Sequence, residues 1–272
     1  MDADPGARQL NSLGASFYDL LVTQYPHLGL WSSPEAAPSS GSALGLGASI
    51  PHGTTVLALR YADGIVVAGD RRATEGYQIS GRRIEKVFKV DEWSAMAISG
   101  AAGPCLEMAR LFQTELEHYE KIEGTTLSVD GKANKLAQMV KGNLPAAYQG
   151  LVVIPLFAGF DHRKGAGRIF KYDVAGGRYE EADYHATGSG GKDARTTIKQ
   201  YFKSGLNEEE AVRLALEALF NAAEEDVATG SPDPARGIFP TVKLVTAQGI
   251  SDVGPERIEP VYAAFLDKRR EQ

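Results

Sequence analysis

From Thr54 onward the chain is written in short apolar runs divided by turn residues. "TTVLALRY" (54–61) and "GIVVAGD" (64–70) are rich in β-branched residues and apolar at nearly every position. The turn residues Ala62-Asp63-Gly64 between them predict a β-hairpin. "RRIEKVFKV" (82–90) and "SAMAISG" (94–100) predict a second strand pair about the turn Asp91-Glu92-Trp93. Runs that are apolar on both sides imply a sheet covered on both faces. The period then changes. Leu106, Ala109, Phe112 and Leu116 recur at helical spacing within 103–124, and a second helical pattern spans 132–150, with Pro145 as a kink or stop. Strands return at 151–161, 167–176 and 178–188. Two helices follow, the second over 207–230 with Asn207 as its cap. A last strand pair covers 241–249 and part of 251–262, and leads to a polar C-terminal helix.

Rossmann-type winding would alternate single strands with single helices. Here hairpins alternate with helix pairs. That order predicts an α+β fold, a four-layer αββα sandwich of two stacked antiparallel sheets flanked by helices.

Residues 1–53 have a different character. Leu10, Leu13, Phe17 and Leu20 or Leu21 fit one stripe of a short helix. The following "WSSPEAAPSSGSALGLGASIPHG" (31–53) is rich in Ser, Ala, Pro and Gly, which buries too little apolar area to offset ordering. It is expected to be a mobile leader or linker.

Composition narrows the function. The 272 residues are 43% hydrophobic and 24% charged, with a net charge of -6, which disfavours nucleic acid as a partner. No apolar run approaches the roughly 20 residues that span a bilayer, and "MDADPGARQL" lacks the basic and apolar regions of a secretory signal. The single cysteine, Cys105, suits a reducing, cytoplasmic setting. The five histidines show no metal-binding spacing, and "GSGGKD" (188–193) lacks phosphate-loop spacing. Neither a metal nor a cofactor is expected.

The chemistry centres on Gly53-Thr54, where the composition changes. A threonine hydroxyl is a weak nucleophile that needs a base. A Thr freed at a chain start carries one, its own α-amine, with a reference pKa of about 7.7–8.0. Gly53 permits a tight turn that brings the hydroxyl to the preceding carbonyl. On a period-two strand Lys86 shares a face with Ile84, Phe88 and Val90, a polar intruder among apolar residues. Asp70, ending the preceding strand, is its natural partner. A Lys86 cation beside Thr54 would favour the alkoxide. "SGAAGP" (99–104) turns a strand into a helix with small residues, so Gly100 can offer its N–H to an oxyanion. Ser189 adds a hydroxyl within reach. Each piece also has a bland account. A strand can simply start after a glycine, Lys86 can snorkel to water, and Asp70 can cap a turn.

Taken together, "HGTTVLAL…GIVVAGDRRAT" and "RIEKVFKV…AISGAAG" resemble the β-subunits of the 20S proteasome, threonine proteases of the N-terminal nucleophile class. The resemblance covers residues 54–267, and the leader with "KGNLPAAYQG" and "GIFPT" is most similar to the actinobacterial branch. It implies a propeptide over 1–53, removed by autocatalytic cleavage of Gly53–Thr54, and a catalytic domain over 54–272. It implies Thr54 as nucleophile, Asp70 and Lys86 as its partners, and Gly100 as oxyanion donor. Ser189 and Asp226 stand near the amine, with Thr229 where the family often has Ser. Substrate main chain would pair with Thr74 and Gly100, and the side-chain pocket would form around Ala73, Ile84, Phe88, Ile98 and Ala102. These small apolar walls suit apolar residues before the cut. The resemblance further implies seven-membered β-rings, α-subunit rings in an α7β7β7α7 stack, a hexameric ATPase activator, and unfolded or tagged proteins as substrates. The competing readings are a non-catalytic scaffold subunit of the same ring, or another N-terminal nucleophile amidohydrolase.

Overall fold

The computed structural model describes residues 53–75 and 78–270, with only the backbone of Lys268 and Arg269. Residues 1–52 of the leader, with the helix predicted near Leu10–Leu21, lie outside the described residues.

Strands β1 (Thr55–Tyr61) and β2 (Gly64–Gly69) form the first predicted hairpin. They sit inside a five-stranded antiparallel sheet of order β10-β1-β2-β11-β12, completed by Tyr184–Gly188, Thr241–Thr246 and Gly249–Asp252. The second sheet, also antiparallel, is β5-β6-β7-β8-β9: Val87–Asp91, Ser94–Gly100, Val153–Asp161, Ala166–Tyr172 and Arg178–Glu181. A small hairpin, β3 (Ala73–Glu75) with β4 (Gln78–Gly81), stands between β2 and β5 in the chain.

The helices are α1 (Ala102–Glu123), α2 (Val129–Gly142), a short α3 (Leu144–Ala147), α4 (Gly191–Tyr201), α5 (Glu208–Glu225) and α6 (Pro255–Arg270). Three apolar layers result. Val56, Ala58, Ile65 and Val67 of the first sheet meet Ala95, Ala97, Leu156 and Ile169 of the second. On its other face β1 turns Leu57 and Leu59 toward α4, α5 and α6. The second sheet turns Met96, Phe157 and Phe170 toward α1 and α2. Strict alternation along each strand, with apolar residues at both phases, is what stacks four layers. The predicted sandwich is the observed one.

Local boundaries move. Residues 178–188 were expected as one strand, but Ala182-Asp183 break it into β9 and β10, which belong to different sheets. The second helix starts earlier than expected because the Ser128 side chain accepts the N–H of Gly131, an N-cap. It stops at Gly142, and Pro145 lies in the first turn of α3. The Asn207 cap of α5 is present as a full capping box with Glu210. Helix α6 is less polar than expected: Ile258, Tyr262 and Phe265 are buried against the α5 side of the core. Among the described residues no helix is long and apolar enough to cross a membrane.

Candidate active site

The first strands of the two sheets bring the predicted residues together. Thr54 precedes β1, Asp70 follows β2, and Lys86 precedes β5, so three strand ends converge on one point. All three side chains are buried. The Thr54 hydroxyl donates to the Gly53 carbonyl at 2.5 Å. Lys86 Nζ donates to the same oxygen at 3.0 Å, to Asp70 Oδ1 at 2.7 Å and to the Arg72 carbonyl at 2.6 Å. The lysine therefore spends its three N–H bonds on one carboxylate and two carbonyls. Burial pushes its pKa down, and Asp70 opposes that shift, with Asp226 adding to the opposition.

Asp70 is held from both sides. Oδ1 accepts Thr55 N–H at 2.8 Å as well as Lys86, while Oδ2 accepts Arg72 N–H at 2.9 Å and Gly230 N–H at 2.8 Å. A carboxylate taking four donors, one of them a cation, is satisfied with no contact to water.

A second network sits on the amide nitrogen of Thr54. That N–H donates to Ser189 Oγ at 3.3 Å, and Ser189 Oγ also lies 3.2 Å from the Thr54 carbonyl. Ser189 donates to Asp226 Oδ2 at 2.5 Å, and Thr229 donates to the same oxygen at 2.6 Å. The loop after α5 makes this possible: Ala228 N–H bonds Asp226 Oδ1, and Thr229 N–H bonds the Asp226 carbonyl. Thr229 thus keeps its hydroxyl in contact with Asp226.

Beside Thr54 a pocket is lined by Ala73, Ile84, Phe88, Ile98, Gly100 and Ala102. Cys105 and Leu106 of α1 also line it, and Glu85 and Lys86 add charged groups to its wall. Burial pushes the Cys105 thiol up to about 12, so it is neutral there and behaves as an apolar wall. Gly100 has φ +127°, and a Cβ on it would lie 2.0 Å from the Val152 carbonyl oxygen. Only glycine lets β6 end in this conformation. Thr74 stands outside the pocket lining but against Gly53: a Cβ added to Gly53 would meet Thr74 Oγ1 at 2.5 Å and the Ala228 carbonyl at 2.6 Å.

All the predicted site residues are therefore gathered around one peptide bond. Several participants were not anticipated, among them Gly230, whose N–H bonds Asp70. Thr55 bonds both networks, through its N–H to Asp70 and through its hydroxyl to Thr229. The Arg72 backbone brackets the ion pair, accepting from Lys86 and donating to Asp70. Cys105 and Leu106 follow Ala102 at i+3 and i+4 on a helix, a spacing that points them to the same face and was legible in the sequence.

Comparison with known proteins identifies the family. The family described as "Proteasome subunit" matches residues 50–233. The chain is 58% identical over 231 residues to a proteasome subunit beta of Acidimicrobium ferrooxidans, covering 85% of this chain and 84% of that one. It is 48% identical to the proteasome subunit beta of Frankia casuarinae and 47% identical to that of Frankia alni, covering 94% of this chain and 90% of the relative in each case. With the two-sheet sandwich and the buried threonine, aspartate and lysine at its strand ends, these similarities show that the chain belongs to the proteasome subunit family, as a β-type subunit of the threonine endopeptidase class.

Proposed function

We propose that this chain is the catalytic β-subunit of a 20S core, made as a zymogen whose residues 1–53 are a propeptide. The observation that carries the reading is the convergence of Thr54 Oγ1 and Lys86 Nζ on the Gly53 carbonyl oxygen, at 2.5 and 3.0 Å. Attack of Oγ on the Gly53 carbonyl carbon, with the hydroxyl proton passing to the Thr54 nitrogen, breaks the Gly53–Thr54 C–N bond, moves the acyl group to oxygen as an ester, and frees the Thr54 amine. Water then hydrolyses the ester and releases the leader. The freed amine, held by Ser189 and Asp226, becomes the base for the next peptide. In the uncut chain that nitrogen is an amide with no basic lone pair, so in leader removal Lys86 serves by stabilising the charge on the Gly53 carbonyl oxygen and not as the base.

In peptide hydrolysis Lys86 places positive charge beside the alkoxide, Asp70 orients it, and the Gly100 N–H receives the oxyanion. The mostly apolar side chains of the pocket support cleavage after apolar residues, with Thr74 and Gly100 pairing to the substrate main chain. Unfolded or tagged proteins are the substrates of this reading, inside an α7β7β7α7 stack fed by a hexameric ATPase. A blocked amine cannot serve as base, so the leader keeps the protease inert until it is cut.

The test is co-expression with an α-subunit, followed by mass spectrometry of the purified particle. A new N-terminus at Thr54, absent in Thr54→Ala, together with peptide hydrolysis lost in the same variant, is expected. Assembled particles that retain residues 1–53 and hydrolyse nothing would instead make the chain a scaffold subunit.

A further inference from the structure

Thr55 is the first residue of β1, and its side chain is fully buried. Its hydroxyl lies 2.6 Å from that of Thr229, which is fully buried as well. Counting protons orders this pair. An ionised carboxylate only accepts. Thr229 has one hydroxyl proton, and Asp226 Oδ2, 2.6 Å away, takes it. The bond between the two threonines must then run from Thr55 to Thr229. The result is a directed chain: Thr55 O–H to Thr229, Thr229 O–H to Asp226, and Ser189 O–H to the same Asp226 oxygen. Ser189 has two acceptors in reach, Asp226 Oδ2 at 2.5 Å and the Thr54 carbonyl at 3.2 Å; with its proton on the shorter bond, its oxygen accepts the N–H of Thr54.

The same residue is tied to the other side of the site. Thr55 N–H bonds Asp70 Oδ1, the oxygen that holds Lys86. Thr55 is thus fastened at its nitrogen to the group that orients Lys86, and at its side chain to Thr229, which shares Asp226 with the Ser189 that accepts from the Thr54 nitrogen. It is also joined directly to Thr54, so these two bonds set where the nitrogen of Thr54 lies relative to its own hydroxyl. Space around the pair is closed: a Cβ on Gly190 would sit 2.5 Å from Thr55 Oγ1 and 2.8 Å from Thr229 Oγ1.

We infer that the Thr55 hydroxyl is a positioning residue for the nucleophile, acting through Thr229, Asp226 and Ser189 on the Thr54 amine. The inference rests on the proposal that the Thr54 amine is the base. Cooperative polarisation along such a chain makes Thr229 a better donor to Asp226 and lowers the charge that Asp226 presents to the amine. Without the Thr55 hydroxyl, Asp226 keeps more negative charge, the ammonium form of Thr54 is favoured, and the amine pKa rises.

The test compares Thr55→Ser, Thr55→Val and Thr55→Ala in particles assembled with an α-subunit. Each is measured for a Thr54 N-terminus and for kcat and KM on a fluorogenic peptide across pH. Thr55→Ser keeps the hydroxyl and is expected within about twofold of wild type. Thr55→Val and Thr55→Ala are expected to lose about tenfold in kcat with KM little changed. Their acid limb of kcat/KM is expected to move to higher pH. If loss followed the missing methyl, so that Ser was as slow as Ala while Val was normal, the inference would be overturned. It would equally be overturned by slow hydroxyl-free variants with an unmoved acid limb, or by their failing to assemble at all while Ser assembles, since either places the hydroxyl in folding alone. Wild-type particles whose hydrolysis did not need Thr54 would sink the proposed function instead, and so the two failures are distinguishable.

Discussion

Replacing Lys86 tests the centre of the mechanism, because the structure separates its effect on rate from its effect on folding. Lys86→Met keeps most of the buried stem and removes the charge. Asp70 then loses one of four donors and keeps the N–H groups of Thr55, Arg72 and Gly230. Breaking a buried ion pair usually costs about 3–5 kcal/mol because a bare charge is left behind. Here three backbone N–H bonds still hold the carboxylate, so about 2–3 kcal/mol is expected, at or below the low end of that range. In a domain of this size each kcal/mol shifts Tm by about 2–4 °C, and the variant should still fold and assemble.

The rate effect is larger. A unit charge about 4 Å from a developing alkoxide, at an effective dielectric of about 20, is worth about 4 kcal/mol. That corresponds to roughly a thousandfold in kcat. Leader removal and hydrolysis are separated by also expressing residues 54–272 behind a cleavable fusion that exposes Thr54 without self-cleavage. The expected outcome is an uncut leader in the full chain and about a thousandfold slower peptide hydrolysis in the pre-cut form, with the particle intact. Turnover by pre-cut Lys86→Met within tenfold of wild type would remove Lys86 from the chemistry.

Asp70→Asn should destabilise more than Lys86→Met, because both Asp70 oxygens face donors and an amide would turn its own N–H groups toward two of them; thermal unfolding of the isolated subunits reads the order. Ala102→Leu narrows the pocket, so kcat/KM should fall about 10- to 200-fold for a peptide with Leu or Phe before the cut and much less for one with Ala. Gly100→Ala forces a Cβ against the Val152 carbonyl, and should abolish leader removal at a stability cost of about 1–3 kcal/mol. Burial lowers the His185 pKa to about 4. A base with a depressed folded pKa is protonated first in the unfolded chain, so stability should decline as pH falls from about 6.5 toward 4. The full effect is on the order of 3 kcal/mol, and urea melts of His185→Gln should show a flatter slope across that window.

Much of this was readable before any coordinates. The hairpins announce themselves because both strand phases are apolar, and a strand apolar at both phases has to be covered twice, which fixes the number of layers. What the pattern leaves open is where strands end. Residues 178–188 contain no Gly or Pro before Gly188 to mark a strand end, yet Ala182-Asp183 carry the chain from one sheet to the other. Lys86 could be flagged as a misplaced charge on an apolar face, though it lies one residue before β5 and not within it. Its setting could not be derived from the pattern. Two of its partners are the backbone carbonyls of Gly53 and Arg72, and a carbonyl has no side-chain identity for a sequence to display.

The same reasoning explains why Thr55 escaped notice while Thr54 did not. Gly53-Thr54 stands at a change of composition, so its chemistry is marked from outside. Thr55 reads as one more β-branched residue opening a strand, and its hydroxyl acquires meaning only when the α5 loop delivers Thr229 to 2.6 Å, from 174 residues away in the chain. A hydroxyl on a buried strand costs free energy unless it is bonded. Here both hydroxyls are satisfied by each other and by Asp226. The burial that would argue against a threonine at this position therefore becomes the reason its proton has one direction to go, and a sequence of hydroxyl residues that looks ordinary in the strand becomes ordered around the nucleophile once the two sheets close.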